Sequence, residues 1–162
     1  MTDRIQKVNL LLNNHDGIRN GYLNLDPFAS GQDDRVAADI FNLSTVVETG
    51  EVGELVSLNV LDYVPTAGVD GVIFHWASLL AHGGTLSISV LDIRSACRSL
   101  LDDSIDIGIF NSMVHGKQEH PWQIRKNSLS LNVLADLVRA KGLSLISKRI
   151  EGHNAIVIAR RP

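Results

Sequence analysis

Six histidines and a single cysteine are the residues of this sequence that first suggest chemistry, and their spacing decides how much of it to expect. His75 and His82 fall two turns apart on a helical pattern, too far to share a zinc ion. His115 and His120 flank Glu119, and His15 stands beside Asp16, but neighbours in a loop are weak grounds for a metal site, and none is expected. Cys97 has no base near it in sequence and is expected to be a small core residue on a helix face. No G-x-S-x-G elbow is present. Neither phosphate-loop nor dinucleotide glycine spacing occurs, which argues against a nucleotidase or a nicotinamide enzyme. Of the acids, Asp26 stands in a "DP" turn, Asp39 is placed to cap or turn the chain, and Asp62 reads as a loop acid.

The elements that must position these groups follow from periodicity. In "VDGVIFHWASLL", Val69, Val72, Ile73, Trp76, Ala77 and Leu80 form one apolar stripe of a helix. Leu86, Ile88 and Val90 alternate with Thr85, Ser87 and Ser89 as a strand does. Between them Gly83 is expected to close the helix in the left-handed conformation and Gly84 to turn the chain into the sheet. Earlier strands are expected at "KVNLLL" and "YLNLD", with shorter apolar pieces at "RVAADIF" and "ELVSLNVL". "DIRSACRSLLDD" predicts a helix with Ile93, Ala96, Cys97, Leu100 and Leu101 on one side. "NSLSLNVLADLVRAKG" predicts another, capped by Asn127 or Ser128 and stopped by Gly142. From Gly108 to Arg125 a long surface loop is expected. Two final strands, "LSLISKRI" and "AIVIARR", are joined by the turn "EGHN". Interleaved strands and helices imply an α/β sheet, mostly parallel with a terminal antiparallel strand, and a ligand crevice beyond the carboxyl ends of its strands.

Length and composition set the class. The 162 residues fit one domain, 1–162, with a single core. A net charge of -3 gives no electrostatic footprint for nucleic acid, and aromatics at 5% are too few for stacking platforms on single strands. The apolar run near the start is too short for a signal peptide or a membrane span, and one cysteine fits a reducing compartment, so a cytoplasmic location is expected with no membrane partner. A homo-oligomer is left open, since a helix or edge strand that pairs between chains reads like one that covers a core.

"KVNLLLNNHDGIRNGYLNLD" resembles the opening of small class I S-adenosylmethionine-dependent methyltransferases, whose pattern is roughly K-L-N-L-G-C-G followed shortly by G-W-x-N-V-D. "GELVSLNVLDYV" is similar to their D-x-I-x-x-x-H-V-L-E-H-V, and "WASLLAHGGTLSISVLDI" to W-x-R-V-L-K-P-G-G-x-L-x-I-x-V-P-D. The ordered set spans almost the whole chain. It implies a Rossmann-like methyltransferase fold and S-adenosylmethionine as cofactor.

The resemblance also implies site residues. Asp26 matches the acid that accepts hydrogen bonds from both ribose hydroxyls, a diol that suits a carboxylate. Asp39 matches an acid near the adenine, with Ile40 and Phe41 covering the ring. Asn59 matches a polar residue facing the substrate. Asp62 stands for the Glu of L-E-H, with Tyr63 in place of its His. Where the family has G-C-G, this sequence has Leu11, Leu12 and Asn13, so side chains enter space the family leaves to the cofactor, and Asn13, Asn14 and Gly17 are left to take any unusual backbone angles. The segment "GIFNSMVHGKQEHPW" is expected to fold over the crevice as a lid, with His115 pointing to the ends of the first and fourth strands.

Two functions follow. One is a divergent methyltransferase acting on a small-molecule or saccharide-type acceptor, with Asp62 or His115 as proton acceptor. The other is a non-catalytic methyltransferase-like binding or assembly module that has lost the cofactor site.

Overall fold

The computed structural model describes residues 6–31 and 33–162. One sheet of seven strands runs through it: β1 (Gln6–Leu10), β2 (Leu23–Leu25), β3 (Arg35–Val36), β4 (Val52–Leu58), β5 (Leu80–Leu91), β6 (Ser144–Glu151) and β7 (Asn154–Arg160). Their order is β3-β2-β1-β4-β5-β7-β6. The first five pair in parallel, while β7 is antiparallel to both β5 and β6. The chain therefore winds outward in both directions from β1 and β4, and the crevice between their carboxyl ends is the switch point where such sheets bind ligands.

The described residues form four α-helices: α1 (Val69–Leu79), α2 (Ile93–Leu101), α3 (Ile107–His115) and α4 (Leu131–Ala140). α1 buries Val69, Ile73, Trp76 and Ala77, and the indole Nε1 of Trp76 donates to the Ile40 carbonyl at 3.0 Å, so the largest core side chain keeps its polar atom satisfied. Asp92, buried at the end of β5, joins two helices. Its Oδ2 accepts from the Ser95 amide at the start of α2, and its Oδ1 accepts from the Leu131 amide at the start of α4, both at 2.8 Å.

Four local expectations are corrected. The paired glycines do not close α1, which has already ended at Leu80, where the Leu80 amide donates to the Ala77 carbonyl. They lie inside β5, at a register break between Val52↔Leu80 and Glu54↔Thr85. Gly83 has a φ of 76°, and a Cβ on Gly84 would stand 2.7 Å from the Val52 carbonyl oxygen, so the pair serves a bulge pressed against β4. Residues 107–115 form a helix, α3, whose first turn is capped by Asp106 accepting from the Ile109 amide. Cys97 is exposed, as is Leu101, because α2 buries only Ala96. Neither Asn127 nor Ser128 caps α4; the carboxylate of Asp92 does, and the Asn127 amide group donates to the Leu61 and Val64 carbonyls instead.

Candidate functional site

A cavity of about 540 Å³ opens beyond the ends of β1 and β4, within the range of small-molecule sites. Leu11, Leu12 and Asn14 border it from the first loop, Leu58 and Asn59 from the end of β4, and Tyr63 from the turn that follows. Met113, Gly116, Lys117, Trp122 and Arg125 close the other side. The segment after α2 thus does fold against the crevice. Trp122 is anchored by Phe28, ring centroids 5.1 Å apart, and Gly116 makes the close approach possible: it has a φ of 82°, and a Cβ there would lie 1.9 Å from the Gln123 carbonyl oxygen.

The first loop is filled rather than open. The Leu11 amide extends the β1–β2 ladder by donating to the Leu25 carbonyl at 2.8 Å. The Leu11 side chain is buried, and a Cβ on Gly17 would come within 2.7 Å of its Cδ2. Asn13 takes the left-handed conformation, φ 50°, as the resemblance requires of a loop without glycines, while Asn14 is extended and caps the Gly17 amide.

Asp26 ends β2 as expected, but it is fully buried and committed. Its Oδ2 accepts from Nη1 of Arg35 at 2.7 Å, and its Oδ1 from the Phe28 amide at 2.9 Å. Arg35 is held in turn by Asp33, which accepts from Nε at 2.9 Å and pairs with Nη2 at 2.8 Å, and His15 Nε2 stands 3.3 Å from Nη2. The hydrogen bond from Arg35 holds the Asp33 carboxyl below its ordinary range.

The remaining expected residues are spread around this point. Asn59, at the end of β4 with a φ of 54°, lines the cavity and accepts from Ser89 Oγ at 3.1 Å. Asp39 is exposed and accepts from the Phe41 amide at 3.0 Å, a turn contact. Ile40 is completely buried in the core and presents no face to a ring. Asp62 is buried beneath the cavity, where it accepts from the Leu91 amide at 3.1 Å and pairs with Arg125 at 3.2 Å. Burial pushes its pKa up, against the downward pull of Arg125. His115, on the last turn of α3, is exposed and borders a separate hollow with Asn111 and Gln118. Asp62 and His115 are therefore not brought together at the cavity.

Three site residues have no counterpart among the expectations: Arg35, Lys117 and Arg125. The signal for the first was present in "DDRVAAD", where a cation enters an apolar strand and must find acids. The other two lay in the segment expected to be a loop.

S-adenosylmethionine would need an open diol acceptor, an adenine shelf and room at the first loop. Here the acceptor's two oxygens are engaged and inaccessible, Ile40 is core, and leucine side chains occupy the loop. The residues present do not fit the cofactor.

No family model and no curated protein matches the sequence. Solved structures do match in shape. The chain is similar to an O-methyltransferase family protein from Burkholderia thailandensis, with a TM-score of 0.56 and 16% identity, over 87% of this chain and 44% of that one. A SAM-dependent methyltransferase from Archaeoglobus fulgidus matches with a TM-score of 0.61 and 10% identity, over 96% of this chain and 86% of that one. Magnesium protoporphyrin IX methyltransferase from Synechocystis, solved with bound SAH, matches with a TM-score of 0.55 and 15% identity, over 88% and 65%. The chain thus spans less than half the length of the first of these and most of the second. With its mostly parallel sheet and the antiparallel β7 between β5 and β6, and with these matches in shape, the chain has the Rossmann-like fold of the S-adenosylmethionine-dependent methyltransferases.

Proposed function

We propose that this chain is a non-catalytic, methyltransferase-fold binding module that has lost the cofactor and keeps a small-molecule crevice at the switch point. The observation that carries this reading is Asp26. A carboxylate with no solvent exposure, bonded through one oxygen to Arg35 and through the other to the Phe28 amide, is closed off from the hydroxyls of a ribose. The neighbouring leucines act in the same direction, and Asp62, the acid expected near the acceptor, is buried beneath the crevice.

The test is calorimetric titration with S-adenosylhomocysteine, backed by thermal melting with the ligand at millimolar concentration. The expected result is neither heat nor a shift, since a ligand that does not bind the native state cannot stabilise it. Saturable binding tighter than about 100 μM, a free energy of roughly 5 kcal/mol or more, would overturn the reading.

The strand order and the place of Asn59 at the crevice favour a second reading, a methyltransferase acting on a small-molecule or saccharide-type acceptor. It requires Arg35 to release Asp26. On that reading the titration gives heat, and Asp26→Ala abolishes it.

A further inference from the structure

The cavity has a charge bias that its fold does not require. Among the described residues that border it, only Lys117 and Arg125 are charged side chains, and both are cations. Lys117 is exposed and makes no ion pair among the described residues. Arg125 has a side chain only 17% exposed, and its Nε and Nη1 are buried without a hydrogen-bond acceptor, the contact to Asp62 having the distance of an ion pair but not hydrogen-bond geometry. Its guanidinium lies over the Tyr63 ring, 5.7 Å from the centroid, which fixes its plane. Asp62, 3.2 Å from Nη1 and only 2% exposed, is not among the residues that border the cavity. A partly desolvated arginine and an exposed lysine, with no acid among the described residues of the wall, form a receptor for an acceptor-only group. Leu11 and Leu12 of the first loop face these cations, and Trp122 adds an apolar surface on the cations' own side.

We propose that the crevice takes a small molecule with an anionic head, carboxylate or phosphate, held between Lys117 and Arg125, and an apolar body lying against Leu12 and Trp122. This rests on the reading of the crevice as a binding site and adds the class of its ligand.

The test uses anilinonaphthalene sulfonate, an aromatic anion whose fluorescence rises on apolar burial. The intact chain is expected to bind it at one site and to release it to octanoate or octyl phosphate, and not to uncharged octanamide; the stronger of the two anions identifies the head group. Lys117→Gln, at an exposed position that leaves the fold intact, is expected to weaken binding several-fold, and Lys117→Gln with Arg125→Gln about tenfold or more, the scale of lost charge-assisted hydrogen bonds. Leu12→Trp, which fills the cavity, should remove the site, whereas Leu101→Ser on the exposed side of α2 should leave it unchanged. Octanamide competing as well as octanoate, or the double glutamine variant binding undiminished while still melting cooperatively, would overturn the proposal. S-adenosylhomocysteine titration is separate: heat there overturns the loss of the cofactor and leaves the anion arms to be read on their own.

Discussion

Nη1 of Arg35 donates to Oδ2 of Asp26 at 2.7 Å, with the two side chains 1% and 0% exposed. Without Arg35, Asp26 is an uncompensated buried charge, whereas Arg35 has a second acid in Asp33. Arg35→Met should therefore destabilise the fold by about 3–5 kcal/mol in urea unfolding, and Asp26→Asn combined with Arg35→Met should recover part of that loss. A single-variant loss below about 1 kcal/mol would mean that water reaches the pair and that Asp26 is less committed than its contacts imply.

Asp92 caps two helices with one carboxylate, so it should be worth more than an ordinary cap. Asp92→Ala is expected to cost about 2–4 kcal/mol, twice the usual loss for one helix start. Asp106→Ala, which removes the single cap of α3, should cost about 1 kcal/mol in the same denaturation experiment. Equal losses would show that one of the two Asp92 contacts contributes nothing.

His75 sets a pH dependence of known sign. Its Nε2 accepts from the Leu43 amide at 2.9 Å, so the ring is neutral in the fold, and burial lowers its pKa from 6.5 despite the opposing charge of Asp39. The unfolded chain takes up a proton at higher pH than the native chain does. This contribution is thus intact above about pH 6.5 and is lost as the pH falls below it. Melting from pH 7.5 down to pH 5 should show a steeper loss for the native sequence than for His75→Gln; parallel curves would remove His75 as the cause.

Gly116 combines a glycine-only backbone conformation, φ 82° and ψ 172°, with a collision that Gly50 lacks. Both have positive φ, 82° and 81°, but a Cβ at Gly50 meets nothing within 4 Å, whereas one at Gly116 meets the Gln123 carbonyl oxygen at 1.9 Å. Gly50→Ala should cost about 1 kcal/mol, the left-handed penalty alone. Gly116→Ala should cost more and should also weaken any ligand of the crevice, because the segment to Arg125 must move aside. Equal costs at the two positions would argue against the close approach.

The fold was legible because its signals are local and repeated. The stripe of α1, the alternation of β5 and the closing hairpin each follow from side-chain period alone, and their order implies the sheet. α3 escaped because Gly108, Gly116, His115 and Pro121 read as loop residues, while the Asp106 cap and the apolar spacing of Ile107, Phe110 and Val114 carried the opposite message. The site was legible only by position. Asp26 and Asn59 stand where the resemblance puts them, but whether an acid faces a crevice or a cation depends on a residue nine positions away in a neighbouring strand. No periodicity reports that.

The place of β7 has a consequence for synthesis. It follows β6 in sequence, yet it lies between β5 and β6, pairing seven residues with each. Until residues 154–160 leave the ribosome, β5 offers its long open edge and β6 has no partner. Nascent chains should therefore be most prone to edge-to-edge association in the interval when β6 has emerged and β7 has not. Inserting one strand ends the exposure of both edges at once, which makes the docking of β7 the step that commits the chain to its native sheet.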